Sequence, residues 1–248
     1  MKRPHILVCN DDGIHGPGLP ALIAAMKRLG TVTVAVPEHE RSADSHSLTL
    51  HKPIRVRKVS PGVFTLNGSP ADCARFALLE ILRGKADFVA SGINRGFNLG
   101  EDVVYSGTVA AAREATMNGA RAAAFSADPE TSDYRPAADY ARKVARLVLG
   151  HGLPSGVFLN VNFPVPGRGG FKGAAPVRLG KRVYDSRVTR RADPRGLEYY
   201  WLAGQRVSSV DEPGTDVAAA SRGFVSVTPL LLDATALEPL KALKSWPL

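Results

Sequence analysis

The sequence predicts an α/β protein with a doubly wound sheet, and three observations carry that prediction. Strand-like apolar runs alternate with helix-like amphipathic stretches from Ile6 to Phe163. The first unit opens such a sheet, with Ile6–Cys9 as strand, a glycine turn, Pro17–Gly30 as helix and Thr31–Val36 as strand. That first strand also delivers Asn10-Asp11-Asp12-Gly13 to its carboxyl end, the edge where open α/β sheets bind ligands. Two adjacent carboxylates there are candidates for holding a metal or moving a proton. The competing reading is that Asp11 or Asp12 caps the next helix or closes the turn.

The elements follow in order. Leu19, Leu22, Ile23 and Met26 recur at the spacing of an amphipathic helix, which Gly30 stops. Val32, Val34 and Val36 alternate in a strand ended by Pro37, and the polar stretch Glu38–Ser47 then leaves on the same edge as Asp11 and Asp12. Residues 53–66 read as a hairpin turning at Ser60-Pro61-Gly62. Ser69 as N-cap, Pro70 at the first helical position and Asp72 at the positive end begin a helix, with Phe76, Leu79 and Leu82 expected on its buried face. Phe88–Ala90 is a buried strand opening into Ser91–Gly100, where glycines alternate with amides.

Ser106-Gly107-Thr108 leads into a helix from Val109 to Met117. Small residues and free N–H groups at a helix start bind phosphate readily, and ordinary N-capping is the plainer use of Ser106 and Thr108. Ala122–Ser126 continues the strand series. Arg135–Leu149 is a helix with Tyr140, Val144, Leu147 and Val148 expected inside, and His151 at its end reads as a dipole partner. Val157–Phe163 and Phe224–Thr228 are further strands, and Ala236–Trp246 is a terminal helix with Leu237, Leu240 and Leu243.

At 248 residues and 44% hydrophobic content, the chain can bury the core of one large domain, with or without an appendage. Ile6–Cys9 is too short for a signal peptide or a membrane span after the basic Met1–His5, so a cytoplasmic location is expected. Cys9 and Cys73, in apolar contexts without motif spacing, read as buried reduced thiols. The net charge of +9 favours anionic partners such as phosphates or nucleic acid. Much of the excess is local: Lys172, Arg178, Lys181, Arg182, Arg187, Arg190, Arg191 and Arg195 meet only Asp185 and Asp193 between 172 and 195, within a longer segment. That segment, Phe171–Gln205, is hairpin-like, with a turn at Asp193-Pro194-Arg195-Gly196 and the aromatics Tyr199-Tyr200-Trp201. Aromatics on a projecting hairpin suggest a subunit contact; single-stranded nucleic acid, bound by charge and stacking, ranks below it.

Taken together, NDDG at 10–13, ERSA at 40–43 with Ser-Leu-Thr at 47–49, PADC at 70–73, SGIN at 91–94, YSGT at 105–108 and SVTP at 226–229 resemble the SurE family of metal-dependent nucleotidases. The match runs through nearly the whole chain in the family's order. The resemblance implies a three-layer α/β/α Rossmann-like core with the C-terminal β-hairpin extension serving oligomerisation. It implies a single SurE-like domain over 1–248, with its core at about 1–170 and 206–230, the arm at about 171–205 and the C-terminal helix at about 234–246. One divalent metal ion per subunit, Mg²⁺ or Mn²⁺, would be held by Asp11, Asp12, Ser42 and Asn94, an all-oxygen set suited to a hard cation. Asn98, Ser106, Gly107 and Thr108 would hold phosphate oxygens, and Asp11 or Asp12 would also serve as a catalytic carboxylate. Phe97 stands where the family usually has proline, which bears on access to the nucleotide.

The implied activity is hydrolysis of nucleoside 5′-monophosphates to nucleoside and phosphate by metal-assisted in-line attack of water, with 3′-nucleotides and polyphosphate as further substrates. The implied assembly is a homodimer or homotetramer built through the arm. A non-enzymatic, metal-dependent nucleotide or polyphosphate sensor is the alternative. An aspartyl-phosphate phosphatase needs two acids spaced as nucleophile and acid, whereas Asp11 and Asp12 are adjacent.

Overall fold

A computed structural model describes residues 3–184, 187–202 and 207–247. Met1 and Lys2 of the basic N-terminus, with 185, 186 and 203–206 of the expected arm and its return, lie outside the described residues. The first strand, β1 (His5–Cys9), pairs in parallel with β2 (Thr31–Pro37) on one side. Beyond β2 lie the antiparallel hairpin strands β3 (Val56–Ser60) and β4 (Val63–Leu66), of which β4 pairs with β2 in parallel. On the other side of β1 come β5 (Phe88–Arg95), β6 (Ala122–Ala127) and β7 (Val157–Phe163), all parallel. Two later strands close that edge: β8 (Ala174–Pro176) is outermost, and β13 (Val225–Leu231) runs antiparallel to β7 and parallel to β8.

Period-two alternation splits the core into two layers. Ile6 and Val8 face the side covered by α1 (Leu19–Lys27) and α4 (Arg135–His151). Leu7 and Cys9 face the side covered by α2 (Pro70–Phe76) and α3 (Gly107–Met117). The three layers are those expected, and each fully buried Leu, Ile or Phe in them contributes about 1.5–3 kcal/mol. Cys9 and Cys73 are buried free thiols, as expected.

The helix faces differ in detail from the expected ones. Leu79 and Leu147 are exposed, and Phe76 and Tyr140 are half-buried. A π-helical turn, Ala77–Ile81, follows α2 and changes the angular phase, so that Ala77 and Leu78 meet the sheet and Leu79 turns outward. On α4 the buried stripe runs through Ala138, Ala141, Ala145 and Val148, which places Leu147 a quarter-turn away. Alanines permit a close approach that large residues would prevent.

The arm also begins and ends elsewhere than expected. Phe171 packs in the core, with its ring centroid 5.9 Å from Tyr140 and 5.8 Å from Phe163, and β8 belongs to the main sheet. The projecting part is two antiparallel pairs. The inner pair is β9 (Arg182–Tyr184) with β12 (Val207–Ser209), and the outer pair is β10 (Thr189–Ala192) with β11 (Glu198–Trp201). The outer pair turns at 193–196, where Asp193 accepts the N–H groups of Arg195 and Leu197. After α5 (Asp216–Ser221) and β13, the terminal helix α6 (Leu237–Leu243) leaves its three leucines exposed.

Candidate active site

The chain passes from β1 to β2 on one side and later returns to β5 on the other, so the carboxyl end of β1 is a topological switch point. Asn10 stabilises the turn there, donating its side-chain N–H to the Gly13 carbonyl at 2.8 Å. Asp11 is 5% exposed; its carboxylate accepts the Thr108 hydroxyl, and its carbonyl accepts the Arg41 N–H at 2.8 Å. Burial pushes the Asp11 carboxyl up to about 6; the Asp12 charge adds to the rise, while hydrogen bonds from Thr108 oppose it. Asp12 is half-buried and accepts the Arg95 N–H at 3.3 Å. Its carboxyl is also raised, by burial first and then by Glu40, against the hydrogen bond and charge of Arg95.

Ser42 is exposed at the rim, donating its hydroxyl to Glu40 at 2.6 Å. Asn94 reaches the site because β5 shifts register between Ser91 and Asn94. Gly92 makes that irregularity possible, with φ +131° and a position where a Cβ would lie 2.2 Å from the Phe125 carbonyl oxygen. Asn94 donates its amide N–H to Gly96 at 2.8 Å, which leaves its side-chain oxygen for another partner. Two carboxylates raised by burial, a hydroxyl oxygen and an amide oxygen therefore meet at one edge. This donor set fits a hard divalent cation, which would relieve the unfavourable burial of negative charge.

Asn98 and Ser106 line the same cleft as Asp11, Ser42 and Asn94, which encloses about 840 Å³. Ser106 caps α3, accepting the Val109 N–H at 3.1 Å, and it also lines this cleft. Thr108 is fully buried and turns its hydroxyl to Asp11. Gly107 lies against that carboxylate: a Cβ there would sit 2.9 Å from Asp11 Cβ and 2.8 Å from Pro70 Cγ. Gly107→Ala is therefore expected to cost about 1–3 kcal/mol through overpacking and to lower turnover by displacing Asp11. Urea midpoints and steady-state rates check this, and unchanged values for both would contradict the close approach.

The far wall of the cleft includes Phe97, Tyr105, Val188 and Leu202. Phe97 packs against Leu99, Val217 and Ala220, which seats its ring by contact with α5. A second cleft of about 400 Å³ lies beside Asp12, lined also by His15, Glu38, His39 and Glu40, and shares Ser42 and Arg95 with the first.

Two asparagines of β7, outside the expected site, hold Asn98. Asn162 accepts the Asn98 N–H at 2.8 Å and donates to its carbonyl at 3.1 Å, and Asn160 donates to the same carbonyl at 2.8 Å. The Asn98 amide N–H meets Ser126 at 2.7 Å. The available signal was the pair Asn160 and Asn162 flanking Val161, polar at period two inside a strand whose neighbours are apolar.

A doubly wound sheet with one buried and one half-buried acid at its switch point, a glycine-bearing helix start beside them and an open cleft in front defines an α/β protein with an oxygen-lined, cation-accepting site. The chain belongs to the SurE family: the family described as Survival protein SurE matches residues 6–186. It is 47% identical over 246 residues to the 5′-nucleotidase SurE of Geobacter sulfurreducens, covering 98% of this chain and 94% of that one. It is 46% identical over 236 residues to the 5′-nucleotidase SurE of Moorella thermoacetica, covering 93% and 91%. The crystal structure of the SurE protein from Aquifex aeolicus superposes with a TM-score of 0.86 at 40% identity, covering 97% of this chain and 98% of that one.

Proposed function

We propose that the protein is a divalent-metal-dependent 5′-nucleotidase that hydrolyses nucleoside monophosphates to nucleoside and phosphate. The observation that carries this reading is the buried Asp11 carboxylate, set between the start of α3 and a cleft large enough for a nucleotide. The activity named for the relatives agrees with it and disfavours a non-enzymatic sensor.

Asp11, Asp12, Ser42 and Asn94 would hold one Mg²⁺ or Mn²⁺ ion per subunit, which supplies charge to the phosphoryl oxygens and acidity to a water. Ser106, Asn98 and the start of α3 at Gly107 and Thr108 would receive the phosphate, the positive helix end favouring its charge. Thr108 keeps Asp11 in one orientation through their hydrogen bond. The nucleoside would rest on the side of Phe97, Tyr105, Val188 and Leu202, where apolar and aromatic surface suits a base and sugar. Asp11, which lines this cleft, or its neighbour Asp12 would take the proton of the attacking water.

Phosphate release from a panel of nucleoside 5′-monophosphates, 3′-monophosphates and polyphosphate, with Mg²⁺ or Mn²⁺, tests the reading. Release from the 5′-monophosphates that chelation abolishes is expected; none with either ion would overturn it in favour of a sensor. We further read the protein as a cytoplasmic homodimer or homotetramer. Two buried free thiols suit a reducing compartment, and Tyr199, Tyr200, Trp201 and Leu202 are exposed on the outer hairpin. Among the described residues, no helix is long and apolar enough to cross a membrane. Deleting residues 187–202 is expected to reduce the assembly to a smaller species by light scattering, and an unchanged mass would remove the arm from the interface.

A further inference from the structure

Glu114 lies on α3 beyond the Ser106–Thr108 start, and its side chain is 1% exposed. A carboxylate removed from water needs hydrogen-bonding partners, and this one has three: His46 Nε2 at 2.8 Å, Arg75 Nη1 at 2.9 Å and Asn118 Nδ2 at 2.9 Å. Burial alone would raise its carboxyl, but the bonds from His46, Arg75 and Asn118 together hold it below its ordinary value. Hydrolysis as described above makes no use of this group. Arg75 belongs to α2 and Asn118 to the end of α3, whereas His46 belongs to the loop that carries Ser42.

That loop has neither helix nor strand between Glu38 and Arg55, and Ala43 and Ser45 adopt φ of 61° and 53°. Polar contacts define its course. Ser45 donates its N–H to the Tyr105 carbonyl at 3.0 Å and its hydroxyl to the Val104 carbonyl at 2.7 Å, just before α3. Farther along, Ser47 and Thr49 bond to Ser69 and Asp72 at the start of α2. His46 adds a contact to a charged, buried acceptor on α3, the helix whose start faces Asp11.

We propose that the His46–Glu114 bridge positions Ser42 against Asp11 by fastening the Ser42 loop to the helix that seats the phosphate. This rests on the assignment of Ser42 and Asp11 to the metal site. Calorimetric titration with Mn²⁺, together with kcat and KM for a nucleoside monophosphate, tests it on the full chain. His46→Ala is expected to weaken Mn²⁺ binding about tenfold and lower kcat. His46→Gln, which keeps an N–H donor of comparable reach, is expected to restore most of both. Arg75→Ala removes an equally close bond to the same carboxylate but not from the loop, and is expected to keep Mn²⁺ affinity within about twofold of wild type.

Equal weakening by His46→Ala and Arg75→Ala would reduce Glu114 to a general packing role and overturn the proposal. So would wild-type affinity in His46→Ala, or failure of His46→Gln to restore it. Mn²⁺ binding that is strong in the wild type and unaffected by His46→Ala removes this proposal alone. A wild-type chain that takes up no Mn²⁺ removes both it and the metal site.

Discussion

Asp11→Asn is expected to lose about a hundredfold or more of the metal-dependent turnover and yet, stripped of metal, to be more stable than the wild type at pH 7.5. Both effects come from one carboxylate. Asp11 is 5% exposed, and burial holds its carboxyl at about 6, the charge of Asp12 adding to the rise and Thr108 opposing it. An acid whose pKa is raised on folding binds its proton more tightly in the folded chain than in the unfolded one. Its favourable contribution is therefore fully present at acid pH, below the unfolded value near 3.8, and is lost as pH rises through about 6. A shift of that size corresponds to a loss on the order of 3 kcal/mol in the metal-free protein.

Asparagine carries no charge and can still accept the Thr108 hydroxyl, so the variant escapes that loss. Its amide N–H groups cannot ligate a cation, and the buried carboxylate at the cleft is gone. Thermal unfolding of chelated wild type and Asp11→Asn between pH 5 and 8, taken as a difference, isolates this group from the other acids. The wild type should fall relative to the variant as pH rises, and added Mn²⁺ should raise only the wild type substantially. Near-normal turnover in the variant, or a difference curve of opposite slope, would sink the assignment of Asp11 as a buried metal ligand.

What the sequence disclosed about this site, and what it withheld, follows the range of the interactions involved. Strand β1, the turn that carries Asp11 and Asp12, and the capping box in which Ser69 and Asp72 bond reciprocally are local features, legible from neighbouring residues. The layers were legible because alternation along β1 assigns Ile6 and Val8 to one side and Leu7 and Cys9 to the other. The inward turn of Leu78 in place of Leu79 was not, since a π-helical turn depends on tertiary packing. Likewise Phe171 looked like the start of a basic arm because its neighbours are polar, whereas its ring closes a cluster with Tyr140 and Phe163. The Thr108 hydroxyl looked free for phosphate and is turned to Asp11 across 97 residues of chain, a pairing no local spacing encodes. His46, Arg75 and Glu114, drawn from a loop and two helices, are hidden from sequence for the same reason.

The asparagines of β7 lead to the second large expected effect. Asn98 is 6% exposed, and nearly all of its backbone hydrogen bonding comes from one face of β7. Asn162→Ala would leave the Asn98 N–H without its acceptor, while the Asn98 carbonyl would keep the Asn160 donor. A buried N–H left unpaired costs about 1–3 kcal/mol. Asn160→Ala removes one of two donors to a single carbonyl and leaves the N–H served, so its cost should be smaller. The activity should follow the same order. Asn98 lines the cleft next to Phe97, and its side-chain N–H is held by Ser126, so a slip of the backbone moves this end of the cleft wall.

Asn162→Ala is accordingly expected to lower kcat/KM by about ten- to a hundredfold, and Asn160→Ala by only a few fold. Denaturant midpoints and kcat/KM for both variants check the two orders together. Equal losses in the two would show that the strand acts as undifferentiated polar packing. Full activity in Asn162→Ala at reduced stability would mean that the 98 loop keeps its place without this bracket, and that this end of the cleft is set from α3 alone.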